Sequence, residues 1–199
     1  MAVEDLERAF EKIDAQLEEH VCADDKEARD VAFIRQFLRD HPRDAHLRAQ
    51  PLGHLTASGF VLDASRTRVL LLHHGKLHRW LQPGGHGEGE LDPRLIALRE
   101  IEEETGLTDL APLPDERILD VDVHLIPPRA TEPGHPHLDL RYGFLAKAGA
   151  LARLSDESTD LRWFHVNALP DGADSSLLRA VGKLAAAKVA RSSPCCCRS

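Results

Sequence analysis

Residues 82 to 107 read QPGGHGEGELDPRLIALREIEEETGL, and they restrict the fold more than any other stretch of the chain. Asp92 is a good N-cap, and Pro93 suits the first helical position, where a missing N–H costs nothing. Gly106 suits the left-handed residue just past a helix end. A helix over about 92–105 is therefore punctuated at both ends. Leu91, Leu95 and Leu98 lie along one side of it and are expected to bury against a sheet. The GlyGlyHisGlyGluGly segment in front, at 84–89, can bend tightly and bring backbone N–H groups close to a ligand.

At about 100° per residue, Glu100, Glu103 and Glu104 fall within an arc of roughly 100° on the opposite face. Carboxylates so placed repel one another, and the helix macrodipole disfavours negative charge near a C-terminus. The arrangement is locally unfavourable unless a hard divalent cation binds. Oxygen-only ligands suit Mg²⁺ or Mn²⁺, which also take substrate phosphate. A solvated acidic helix is the plainer alternative. The glycine segment in front and Arg99 beside the acids favour the metal.

Around this stretch the pattern is that of an α/β protein. Residues 4–20 and about 25–40 are amphipathic helices, carried by Leu6, Phe10, Ile13 and Leu17 and by Val31, Ile34, Phe37 and Leu38. HisPro at 41–42 ends the second. These helices form an N-terminal extension over 1–50 that packs on the main domain or on a second subunit, so a homodimer through them is one expectation. The main domain spans 51–190 and a disordered tail 191–199. LTASGFVLD and RVLLLHH make a hairpin turning at 63–66. Further strands are expected over 117–126, 137–148 and 162–166, with a loop at 127–136 and a last helix from Asp174. Strands and helices in this order suggest a mixed sheet with helices packed on it.

Two of these strands alternate. Asp120, Asp122 and His124 share one face of the first, and His137, Asp139 and Arg141 share one face of the second. That polar face either is solvated or floors a polar pocket. The twelve histidines include HHGKLHRW at 73–80 and HPH at 135–137, but neither run has paired ligands at zinc-site spacing, so a dedicated zinc site is not expected. A net charge of −8 argues against a nucleic-acid or anionic-membrane binder. The start MAVEDLERAF lacks the basic and apolar regions of a signal peptide, no apolar run approaches a membrane span, and no disulfide framework is visible, so a cytoplasmic protein is expected.

Counted from Gly85, the stretch resembles the box of the Nudix hydrolases: Gly85, Arg99, Glu100, Ile101, Glu103, Glu104, Gly106 and Leu107 match in identity and spacing. One position departs, because the family's first box glutamate falls on Leu91; Glu88 or Glu90 is a nearby substitute. The resemblance implies an α/β/α sandwich around a mixed sheet. It also implies Mg²⁺- or Mn²⁺-dependent hydrolysis of a nucleoside diphosphate linked to another moiety, or of a nucleoside triphosphate. It assigns metal binding to Glu100, Glu103 and Glu104, makes Arg99 their orienting partner, and points to a base in the later SDESTDLRWF segment, Glu157 first and Asp160 second. Gly84, Gly85, His86, His137, Asp139 and Arg141 are the candidate substrate contacts. Two other readings remain: a degenerate Nudix domain that senses a nucleotide or sugar-nucleotide without turnover, which Leu91 favours, and a prenyl-diphosphate isomerase, which the absence of cysteine between residues 23 and 194 disfavours. No motif names the substrate, and Trp80, Trp163 and Tyr142 are the main residues available to stack a base.

Overall fold

The structure is a computed structural model that describes residues 3–128, 133–155 and 158–187. Helices α1 (Val3–Glu18) and α2 (Asp25–Asp40) form where the apolar stripes require. The Asp24 carboxylate caps α2 by accepting from the Glu27 N–H. Strands β1 (His54–Leu62), β2 (Arg68–His74), β3 (Arg79–Leu81) and β4 (Gly84–Gly85) follow, then α3 (Pro93–Thr105). The chain continues through β5 (Ala111–Pro112), β6 (Asp120–Ile126), β7 (His135–Leu145), β8 (Ser158–His165) and α4 (Ser175–Ala186).

The eight strands make one mixed sheet. Its path runs β3-β2-β1-β7-β5, with β4 also on β1, β6 on β7 and β8 on β2. Only β1 and β7 run parallel among these pairs, and their register joins His54 to His137, Ser58 to Arg141 and Leu62 to Leu145. Helices cover both faces. Ala57 and Val61 of β1 join the cluster that holds Ile96, Ala97 and Ile101 of α3, whereas Phe60 and Leu62 join Leu177, Ala180, Val181 and Leu184 of α4. This alternation is the period-two geometry of a strand buried on both sides.

The N-terminal helices are part of this core. Leu6, Phe10, Ile13 and Leu17 of α1 and Val31, Ile34, Phe37 and Leu38 of α2 are buried in the same cluster as α3. Their apolar stripes are covered within the chain, so the stripes that suggested a second subunit do not require one. No helix among the described residues is long and apolar enough to cross a membrane.

Several boundaries differ from the sequence expectation. Strand β6 starts at Asp120, and β7 starts at His135 because Ile126 and Leu125 of β6 pair with His135 and Pro136. The loop at 127–136 therefore yields its last two residues to the sheet. Pairing with β2 likewise extends β8 back to Ser158. On α3 the buried residues are Pro93, Ile96, Ala97, Ile101 and Thr105, while Leu95 is 42% exposed. The reason is Gly59: the Ile101 Cδ1 lies 2.4 Å from where a Cβ on that glycine would stand, so the helix turns Ile101 onto the bare backbone.

The acidic part of the polar face of β6 and β7 is buried, while His124 at its end is exposed. Asp120, Asp122, Asp139 and Arg141 are each at most 3% exposed. Arg141 donates to Asp139 at 2.9 Å, to Asp120 at 3.2 Å and to Asp122 at 3.1 Å. From α4, Arg179 donates to Asp120 at 2.7 Å, and Lys183 reaches Glu27. Lys26 of α2 donates to Asp122 at 2.6 Å. On the outer side of β6, the Val121 and Val123 N–H groups donate to the carboxylates of Glu27 and Asp30, so α2 satisfies a strand edge that would otherwise be left open. Removing one member of such a buried set strands the remaining charges. We therefore expect Arg141→Met to lower stability by about 3–5 kcal/mol, read from the urea midpoint. A loss below about 1 kcal/mol would show that Asp120, Asp122 and Asp139 do not depend on this guanidinium.

Candidate active site

Strand β4 is only Gly84 and Gly85, antiparallel to Ala57 and Ser58 of β1. Both glycines have close neighbours. A Cβ on Gly84 would stand 2.4 Å from the Ser58 Cβ, and one on Gly85 would stand 2.5 Å from Glu100 Oε1. Helix α3 thus presses its carboxylates against bare backbone. The Gly84 N–H donates to Glu104 Oε2 at 2.9 Å. Arg99 gathers the rest: Nη2 donates to Glu100 at 2.9 Å and to the His86 carbonyl, and Nη1 donates to Glu103 at 3.1 Å. Gly84, Gly85, His86, Arg99, Glu100, Glu103 and Glu104 therefore form one continuous surface.

The departure at Leu91 is met by two neighbouring glutamates. Glu88, held at φ 50°, turns its carboxylate to Arg99 Nη1 at 3.5 Å. The Glu90 carboxylate accepts from the Leu91 and Asp92 N–H groups at 2.7 and 2.8 Å, fixing the loop that leads into α3. Leu91 itself lines a small cavity with Phe10, Leu55 and Ile96. Its side chain belongs to the packing of α1 against the domain.

Burial pushes the Glu100 carboxyl up to about 7; Arg99 opposes this, and the charges of Glu103 and Glu88 add to it. A carboxyl held up in this way is the electrostatic counterpart of the repulsion inferred from the helix face. The donors on this face are all carboxylate oxygens, so the residues fit a hard divalent cation, with Glu100, Glu103 and Glu104 available to hold it.

Other expected site residues have partners of their own, and Asp139 bonds to Ser58, the β1 residue paired with Gly84. Asp139 accepts from Ser58 Oγ at 2.7 Å and from Thr56 Oγ1 at 3.3 Å, and Arg141 is directed at the three aspartates described above. Gln82 reaches Ser58 from the strand-connecting segment before β4 at 3.3 Å. Glu157 lies outside the described residues, as do Cys195, Cys196 and Cys197. Asp160 pairs with Arg162. Tyr142 is buried in the core, so it is not placed to stack a base, whereas Trp80 has the Arg162 guanidinium over its ring and meets Phe164 edge-on.

His137 does not stand alone. His54, His86 and His135 surround it with ring centroids 4.8, 5.1 and 5.3 Å away, and His124 lies at 5.6 Å. Burial, helped by these neighbouring imidazoles, holds its pKa far below the usual histidine value. His54 was not singled out in the sequence, and His135 entered only with the HPH run that was set aside as a zinc site. The available signal was the period of two in His135-Pro136-His137, which puts both imidazoles on one face of a strand.

A family model for the NUDIX domain matches residues 53–181, well over half of the chain. The chain belongs to the Nudix family. It is accordingly a Nudix-type pyrophosphohydrolase, an enzyme acting on acid anhydrides. No curated protein sequence matches it. Among solved structures, a NUDIX-family hydrolase from Clostridium perfringens is 26% identical, with a TM-score of 0.49 over 66% of this chain and 95% of that one. A C. elegans Ap4A hydrolase in a binary complex is 19% identical, with a TM-score of 0.52 over 65% of this chain and 93% of that one, a likeness of fold. A UDP-X diphosphatase is 17% identical, with a TM-score of 0.46 over 93% and 94% of the two chains.

With Glu88 against Arg99 and Glu90 on the loop N–H groups, a glutamate at position 91 would have no such partner left to meet. We expect Leu91→Glu to destabilise the protein by about 1–3 kcal/mol, because the carboxylate enters an apolar contact with Phe10, Leu55 and Ile96. Turnover should not rise. Thermal unfolding and a steady-state assay on the variant decide it; a more active, equally stable Leu91→Glu protein would contradict this account of the loop.

Proposed function

We propose that the enzyme hydrolyses a diphosphate linkage in a nucleoside diphosphate joined to another moiety, or in a nucleoside triphosphate, using Mg²⁺ or Mn²⁺. The observation that supports this reading is the shared surface of Glu100, Glu103 and Glu104 with Gly84 and Gly85, held by Arg99. An ion bound to those carboxylates would neutralise diphosphate oxygens and lower the pKa of the attacking water.

The protein's own part is positioning. Arg99 spans three acidic side chains and the His86 carbonyl, so it holds the loop and the helix in one arrangement before substrate arrives. The Gly84 N–H fixes one Glu104 oxygen. Gly84 and Gly85 offer no side chain to obstruct a phosphate that approaches their backbone. Glu157 remains our candidate for the base that takes the proton from water, as a proposal from sequence alone.

The sensor reading drew on Leu91; the Glu88 carboxylate 3.5 Å from Arg99 supports hydrolysis over it. A hydrolysis screen over nucleoside-diphosphate-linked compounds and nucleoside triphosphates, with Mg²⁺ or Mn²⁺ and products identified by mass spectrometry, tests the proposal. We expect metal-dependent cleavage of at least one class, lost by a factor of roughly 10²–10⁴ in Glu103→Gln and Glu104→Gln proteins. A folded wild-type protein that binds nucleotide but cleaves none of these compounds would return the sensor reading.

A further inference from the structure

A second cluster of ligand-type side chains sits beside the carboxylate site and plays no part in the proposal above. The register places it. His54 at the head of β1 pairs with His137 of β7, and His137 pairs in turn with His124 of β6. Three imidazoles thus stand in one row across three strands. His135, two residues before His137, projects from the same face of β7. His86 arrives from the glycine loop, its Nε2 3.0 Å from the His54 Nε2.

One ring nitrogen each of His54, His135 and His137 lie within 4.8 Å of one another. A zinc-type ion with Zn–N bonds of about 2.0–2.1 Å would need its imidazole nitrogens roughly 3.4 Å apart. Small side-chain rotations therefore close the gap. Two of the three side chains are already out of water, His54 fully buried and His135 5% exposed, and His137 is partly buried.

The chemistry of the surroundings agrees. His135 Nδ1 lies 2.9 Å from the Pro133 carbonyl, which can only accept, so that nitrogen carries the proton and Nε2 keeps its lone pair in the neutral ring. His124 is oriented in the same manner by the Asp122 carboxylate, at 3.1 Å. Partners of this kind fix the tautomer of metal-bound histidines. The donor set is imidazole alone. That selects zinc, cobalt, nickel or copper over magnesium, whereas the all-carboxylate face of α3 selects the reverse.

We propose that His54, His135 and His137 bind one divalent transition-metal ion, with His86 as the fourth ligand. Such an ion would tie the glycine loop to β1 and β7, because Arg99 holds the carbonyl of the same His86. The inference goes beyond the hydrolase reading and does not need it, since it is read from metal content.

Full-length, tag-free protein would be stripped with chelator, loaded with Zn²⁺ or Co²⁺, dialysed, and measured for bound metal and for the visible spectrum of cobalt. Glu103→Gln/Glu104→Gln protein silences the carboxylate site, and a Cys195→Ser/Cys196→Ser/Cys197→Ser variant removes the terminal thiols. We expect one ion per chain, an intense tetrahedral cobalt spectrum, persistence in both control variants and under excess Mg²⁺, and loss in His135→Gln and His54→Ala. A wild-type protein that retains no ion overturns the proposal, as does binding abolished by either control or unaffected by His135→Gln. Should His54→Ala fail to fold, the wild-type spectrum and the less central His135→Gln decide, with circular dichroism confirming that the latter is folded. Absence of binding in wild type would leave the histidines as a hydrogen-bonded, stacked cluster only.

Discussion

Helix α3 sets Ile101 against the bare backbone of Gly59 in β1 and Glu100 against that of Gly85 in β4, and the site depends on that contact. Ile101 occupies the space above Gly59, the Glu100 carboxylate that above Gly85, and Glu104 takes the Gly84 N–H. One backbone surface therefore does three things: it buries the apolar edge of the helix, it brings the acids to the loop, and it removes Glu100 from water. The last effect raises the Glu100 pKa, and Arg99 prevents the rest of the acidic face from pushing it further. A larger residue at Gly59 would press on Ile101 and one at Gly85 on the Glu100 carboxylate, whereas one at Gly84 would meet Ser58 of β1.

The second organising element is the ion cluster between β6, β7, α2 and α4. Burying charges is not in itself stabilising, because desolvation offsets much of their attraction. What the cluster fixes is placement. Arg141 aligns Asp120, Asp122 and Asp139, and Glu27 and Asp30 meet the backbone of β6 at alternate N–H groups, which sets where α2 sits along the edge. The same register carries His124, His137 and His54 into one row, so strand pairing, helix docking and the histidine cluster follow from one alignment.

Much of this was legible in the sequence because the signals were local. Asp92, Pro93 and Gly106 punctuate α3 as expected, with the Asp92 side chain accepting from Arg94 and Gly106 in the left-handed region. The spacing of Arg99, Glu100, Glu103 and Glu104 carried the family. What was not legible depended on contacts between distant segments. The most buried face of α3 is set by Gly59, forty-odd residues before Ile101; of the leucines that periodicity favoured, Leu91 and Leu98 pack against the core only in part and Leu95 is exposed. Leu91 reads as a defect until α1 supplies Phe10 as its neighbour. The imidazoles of His54, His86, His124 and His137 lie far apart in sequence and meet only through strand register and the turn of the glycine loop, which no ligand-spacing pattern encodes.

The central claim is that bare backbone at Gly85 lets α3 present a cation site. A Mn²⁺ titration followed by electron paramagnetic resonance, at pH 8 where Glu100 with its raised pKa is ionised, tests it on wild-type and Gly85→Ala proteins. The account predicts Mn²⁺ binding by wild type that weakens about 10- to 100-fold in Gly85→Ala, because the new methyl group displaces the Glu100 carboxylate. Equal Mn²⁺ affinity in the two folded proteins would contradict it.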